Sequence, residues 1–99
     1  MEEDYELIDN EEKRRYEFRI DGKAAVIEYI RTPAGEIYFA HTEVPRELSG
    51  KGIASKLTEK AFEDVERSGF ILTPLCPYTI AYLHRHPEWK RIVKKGIHF

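Results

Sequence analysis

Polar and apolar residues alternate over Glu17-Phe18-Arg19-Ile20, the pattern of a strand with one face buried. Asp21-Gly22 is a hairpin signal, and the run Ala24-Ala25-Val26-Ile27-Glu28-Tyr29-Ile30 beyond it predicts a second strand. The turn residues Thr32-Pro33-Ala34-Gly35 separate it from a third run, Glu36 to Val44, so this part of the chain predicts an antiparallel meander. Tyr5 to Ile8 adds an edge strand whose limits are blurred by Asp9, Asn10 and the charged run Glu11 to Arg15.

The period then changes. From about Gly52 to Ser68, the residues Ala54, Leu57, Ala61, Phe62 and Val65 form one apolar stripe, which predicts an amphipathic helix. Charged residues fill its other face, with Lys60 and Asp64, and Glu63 and Arg67, at i,i+4 spacing. Gly69 stops the helix, and the apolar run Phe70-Ile71-Leu72 predicts a buried strand paired in parallel or mixed fashion. A second helix is expected over Tyr78 to Arg85, with Ile80, Tyr82 and Leu83 as its apolar members. Pro87 interrupts it, and Glu88 to Val93 adds a turn or two. The fold class is therefore α+β, a mixed α/β arrangement of one sheet and two helices.

Composition narrows the partners. The 99 residues are expected to form one domain, 1–99, with 1–10 as a flexible acidic lead. A net charge of -2, from 16 basic and 18 acidic residues, gives no field to gather nucleic acid or anionic lipid, so neither is an expected partner. A monomer is expected. Met1 to Asn10 is acidic and Lys90 to Lys95 basic, both read as solvated ends. One cysteine makes no internal disulfide and no apolar run reaches membrane-span length, so the expected compartment is the cytoplasm.

Three groups of residues can carry chemistry. The first is the glycine-punctuated turn from Val44 to Ser55, where Gly50-Lys51-Gly52 enters the long helix. A helix N-terminus presents unpaired backbone N–H groups, which suits a phosphate. The turn lacks the Gly-Lys-Ser/Thr ending of a P-loop and the third glycine of a dinucleotide fingerprint. The second is Cys76, between Pro74 and Pro77 just past the buried strand: a buried thiol in a rigid turn, a pocket wall or a nucleophile. The third is the strand end His41-Thr42-Glu43 with His84-Arg85-His86. In a regular strand His41 and Glu43 share a face with Ile37 and Phe39, which offers two proton acceptors near the turn. A zinc set drawn from Cys76, His84, His86 and His41 is disfavoured, because His84 and His86 point to different faces of a helix; no metal is expected.

The order of these pieces, His41-Thr42-Glu43-Val44-Pro45, Gly50-Lys51-Gly52-Ile53-Ala54-Ser55, Cys76-Pro77-Tyr78 and His86-Pro87-Glu88-Trp89, resembles the minimal single-domain branch of the GNAT acetyltransferase superfamily. The resemblance spans about Tyr16 to Trp89. It implies the GNAT-like acyl-CoA N-acyltransferase fold, a mostly antiparallel sheet whose middle strands splay apart, with one long helix after the pyrophosphate loop and a second towards the C-terminus. It also implies acetyl-CoA as the acyl donor, with CoA contacts among Val44, Ser49, Gly50, Lys51, Gly52, Ile53, Ala54 and Ser55. The superfamily's pyrophosphate motif begins with Gln or Arg, and Glu47 stands in that place here. An acidic side chain is tolerable there if it points away from an anion held by backbone N–H groups.

By the same resemblance the thioester enters the gap between the strand ending at Val44 and Phe70 to Leu72, near Cys76. The expected activity is direct transfer of an acetyl group to an amine, with His41 or Glu43 as base and the Val44 N–H polarising the carbonyl. Transfer through an acetylated Cys76 is the alternative route. With only 43 residues before Val44, mostly strand-like, the acceptor side is expected to be open, suiting a lysine or N-terminal amine of a peptide or protein. Two other readings remain: a CoA-binding regulatory module without turnover, and an interaction domain using Tyr78, Tyr82, Trp89 and the basic tail.

Overall fold

In the computed structural model, which describes residues 5–99, the meander is a five-stranded sheet in the spatial order β1-β2-β3-β4-β5. The strands are β1 (Ile8–Asn10), β2 (Arg15–Ile20), β3 (Lys23–Arg31), β4 (Glu36–Glu43) and β5 (Ile71–Pro74). Neighbours from β1 to β4 are antiparallel, and β5 pairs parallel to β4 after the chain crosses over through helix α1 (Ile53–Ser68). Helix α2 (Pro77–Arg85) and a 3-10 segment (Pro87–Ile92) follow. Asp21 and Gly22 both take positive φ, 52° and 77°, as the two-residue turn closing the β2–β3 hairpin requires.

One face of the sheet carries the core. Tyr16, Phe18, Ala25, Ile27, Tyr29, Ile37 and Phe39 point to the helices and bury against Leu57, Ala61, Phe62 and Val65 of α1. The rings of Phe39 and Phe62 lie 5.7 Å apart, and Phe62 in turn meets Tyr82 and Trp89, each at 5.5 Å. These ring contacts join the sheet, α1, α2 and the 3-10 segment in one cluster. Tyr82 and Trp89 are buried, so neither is available as the contact surface that an interaction domain would need.

Several local expectations shift. The edge strand is Ile8–Asn10 rather than Tyr5 to Ile8, while the Tyr5 ring packs on Phe18 at 5.3 Å. Pairing of β5 begins at Ile71, because Gly69 (φ 79°) ends α1 in a left-handed cap and the Phe70 N–H is taken by Val65 O at 3.1 Å. The first bond to the β3–β4 turn is then Ile71 N–H to Gly35 O, 3.0 Å. Ile71 is half-exposed on the open side, so the run Phe70 to Leu72 is not wholly buried.

The expected helix pairs are replaced as well. Lys60 Nζ donates to Tyr5 O at 2.6 Å, and Asp64 accepts from Tyr16 Oη at 2.8 Å and from Arg67. Asp64 also faces Arg31 at 3.9 Å, and the Arg31 guanidinium donates to Asp9 at 2.7 Å, Glu11 at 3.1 Å and Tyr16 Oη at 3.1 Å. It stacks over Tyr29 at 4.4 Å and Phe70 at 5.1 Å. Arg31 thus ties the β1–β2 hairpin, β3, α1 and the start of β5 together. Burial and the neighbouring carboxylates push the Tyr16 and Tyr29 phenols well above their ordinary range. Among the described residues no helix is long and apolar enough to cross a membrane.

Candidate functional site

The sheet opens where β4 outruns β5. The two strands pair only from Glu36 opposite Ile71 to Phe39 opposite Pro74, although β4 continues to Glu43. Phe39 O accepts from both the Leu75 and the Cys76 N–H, each at 3.0 Å, and the chain then turns away into α2 with Pro77 at the helix start. A gap results, with Thr42 on the β4 side and Cys76 on the α2 side, bridged by a 3.5 Å contact from Sγ to Oγ1.

Which β4 side chains face that gap depends on one residue. Tyr29 lies opposite Phe39 but Glu28 lies opposite His41, so Ala40 is an unpaired bulge. The slip reverses the alternation, because Thr42 pairs with inward Ile27 while His41 and Glu43 pair with outward Glu28 and with Val26. The expectation that His41 and Glu43 share a face with Ile37 and Phe39 is therefore corrected: both stand exposed on the outer face, His41 Nε2 lying 3.3 Å from Glu43 Oε1. Thr42 takes the inward place.

The turn is shaped by buried Leu48, which anchors the short 3-10 segment Arg46–Leu48 in the core, and by Gly50 and Gly52 at φ 80° and 71°. Left-handed φ at both positions is cheap only for glycine. The first hydrogen bond of α1 runs from Lys56 N–H to Gly52 O at 3.1 Å, and no side chain caps the helix. Among the described residues, the N–H groups of Ile53, Ala54 and Ser55 therefore have no acceptor, and they open on a hollow of about 230 Å³. Val44, Ser49, Gly50, Gly52, Ile53, Ala54 and Ser55 line it; Lys51 and Glu47 are exposed and do not. Leu48 and Tyr78, which sequence reasoning did not assign to this site, complete the wall. A Cβ built on Gly50 or Gly52 meets no atom within 4 Å, so a ligand has a clear approach to this backbone.

Hollow and gap adjoin, since Val44 and Tyr78 of the hollow each follow two residues after Thr42 and Cys76 of the gap. Cys76 is buried at the N-terminus of α2. Burial pushes its thiol up, but the Thr42 hydroxyl and the N–H groups of Thr79 and Tyr78 outweigh that and hold it below the ordinary thiol range. The fully buried Thr79 hydroxyl adds to the same field, although no hydrogen bond of ordinary geometry reaches it. Sequence pattern gave no warning of Thr42 or Thr79. The other histidines are elsewhere: His84 packs on Phe99 and His86 on the Tyr82 ring at 4.3 Å. Among the described residues no group of three or more His, Cys, Asp or Glu side chains comes together as a metal site.

This arrangement has counterparts. A model of the GCN5-related N-acetyl-transferase family matches residues 15–92, most of the chain. The fold matches the solution structure of a GCN5-like protein from Staphylococcus aureus assigned as an N-acetyltransferase, with a TM-score of 0.71 at 21% identity, over 95% of this chain and 92% of that one. The splayed sheet, the uncapped helix behind a two-glycine turn and the family match agree, and the chain belongs to the GCN5-related N-acetyltransferase family, whose chemistry is acyl transfer.

Proposed function

We propose that the protein moves an acetyl group from acetyl-CoA to a primary amine by direct transfer. The observation that carries this reading is the row of acceptor-less N–H groups at Ile53, Ala54 and Ser55, facing a hollow that leads into the β4–β5 gap. A diphosphate suits the helix N-terminus, and the donor's arm then runs along Val44 towards Thr42 and Cys76. The Val44 N–H has no acceptor among the described residues and is free to bind the thioester oxygen as charge develops there. The amine nitrogen bonds to the thioester carbon, the C–S bond breaks, and the sulfur leaves as a thiol once protonated. A lysine amine with a pKa of about 10.4 must first lose a proton, for which the exposed pair His41 and Glu43 is the available acceptor on the outer side.

Transfer through Cys76 stands as a second reading because its thiol is held in a form easier to ionise than a free cysteine. Incubation with acetyl-CoA, with and without a lysine peptide, separates the cases by free-thiol release and intact mass. Release only with peptide, and retention of transfer by Cys76→Ala, supports direct attack. A competent acetylated Cys76 overturns it in favour of the two-step route. Binding without release under any acceptor identifies a CoA-binding module instead.

A further inference from the structure

Among the described residues the outer face of the sheet carries no helix, and its charges are sorted. Buried Glu17 stands in the middle of β2 on this face, only 1% exposed, and accepts from Arg15 Nε at 2.5 Å, Arg19 Nε at 2.9 Å and Asn10 Nδ2 at 3.1 Å. Each arginine spends only its Nε on the carboxylate, so the Nη groups are held in fixed planes with no acceptor among the described residues. Lys13 and Lys23 line the same groove of about 280 Å³ along β2, and neither forms an ion pair among the described residues. Four cations around one carboxylate leave this strip positive. Across the pairing Arg15–Glu28–His41 and Glu17–Val26–Glu43 the sign reverses: exposed Glu28 stands one strand away, opposite Arg15, and exposed Glu43 lies with His41 two strands away on β4, at the edge of the gap.

The hollow and α1 occupy the helix side of the gap, so an acceptor reaches it from this outer side. We propose that the acceptor amine belongs to an acidic segment, its ammonium gathered by His41 and Glu43 of β4 while a carboxylate binds Arg15 and Arg19 of β2 and Lys23 at the start of β3. Two interstrand spacings separate the two sites, about 10 Å, or about three residues of an extended peptide. The proposal rests on the amine-acceptor reading and adds the chemistry around the amine. Glu17 is then a positioning residue, aiming two guanidinium groups outward.

The test compares three otherwise identical lysine peptides with Glu, Gln or Arg at the third residue from the lysine, under acetyl-CoA. The Glu peptide is expected to exceed the Gln peptide by about tenfold in kcat/KM, through KM rather than kcat, and to lose most of that lead in high salt. The Arg peptide is expected to be the poorest. Lys13→Gln/Lys23→Gln, which leaves the Glu17 bonds intact, is expected to narrow the lead of the Glu peptide over the Gln peptide, and an unchanged lead overturns the role of this groove. Equal rates for the three peptides overturn the acidic-segment proposal and leave the acetyltransferase reading standing. If no peptide is acetylated, the reading of the site fails, and binding of a lysine-free tri-glutamate peptide judges the groove. Amide shifts confined to Arg15, Arg19 and Lys23 then support an acidic ligand, and no shift overturns it.

Discussion

The two ends of α1 allow a crossed experiment, because Gly52 and Gly69 are alike in everything but position. Both have left-handed φ, 71° and 79°, and a Cβ on either meets nothing within 4 Å. Aspartate at either position therefore carries a similar backbone cost of about 1 kcal/mol and no steric one. The helix dipole then splits them: a carboxylate at the N-terminal end gains about 0.3–1 kcal/mol, and one at the C-terminal end loses as much. Gly69→Asp is expected to be the less stable variant, by about 0.6–2 kcal/mol, which in a domain near this size is a gap of several degrees in Tm. Ligand affinity should run the other way. The carboxylate introduced by Gly52→Asp would stand where Ile53, Ala54 and Ser55 present their free N–H groups, and like charges about 4 Å apart repel by about 1 kcal/mol in bulk water and about 4 near a protein surface. Gly52→Asp is thus expected to weaken CoA binding by about fivefold to about 700-fold, with Gly69→Asp close to wild type. Thermal melts and calorimetric titration with CoA read the two quantities separately. If Gly52→Asp binds CoA as tightly as wild type, the anion site at this helix end does not exist.

Four further outcomes follow from other parts of the structure. The Cys76 thiol should alkylate at a lower pH than a free cysteine, Thr42→Val should move that profile upward by removing the hydroxyl contact, and bound acetyl-CoA should protect it. Burial raises the Glu17 carboxyl but Arg15, Arg19 and Asn10 bring it below its ordinary 4.5, so its stabilisation is complete above about that pH and is lost as pH falls through the lowered value. Acid-unfolding curves of Glu17→Gln should lack this part of the pH dependence. Arg31→Met, which leaves Asp9 without its cation and Asp64 with Arg67 alone, should destabilise by about 2 kcal/mol in urea melts, allowing for the partial exposure of all three groups. Phe62→Ala, emptying the ring cluster between sheet and α2, should cost about 3–5 kcal/mol.

Much of the framework was legible because local signals and tertiary structure agree. Asp21-Gly22 closes its hairpin, Gly69 ends α1, and Leu57, Ala61, Phe62 and Val65 are buried as their spacing predicts. The shape of the turn before α1 was legible for the same reason, since Gly50 and Gly52 take the left-handed φ that glycine favours and the helix starts at Ile53 beside them. What the sequence concealed is non-local. The bulge at Ala40 is a property of the β3–β4 pairing and leaves no mark in a strand whose own alternation runs unbroken from Ile37 through Phe39 to His41. Arg31 likewise reads as a solvated strand end, and only the folded chain brings Asp9, Glu11, Asp64 and Tyr16 to it. Tyr78 and Thr79 are neighbours in sequence, yet one walls the hollow and the other sits behind the thiol.

The unpaired Ala40 works as a parity switch for the whole gap. Every position after it in β4 has its side exchanged, so a neutral hydroxyl looks inward at the cysteine while an imidazole and a carboxylate look outward to solvent. A single-residue deletion there would restore even register and trade these places, sending both titrating groups into the interior and Thr42 out. The two sides of one strand end thus differ in chemistry by an insertion that alters no functional side chain, and the spacing of β4 is as much a determinant of the site as its residues.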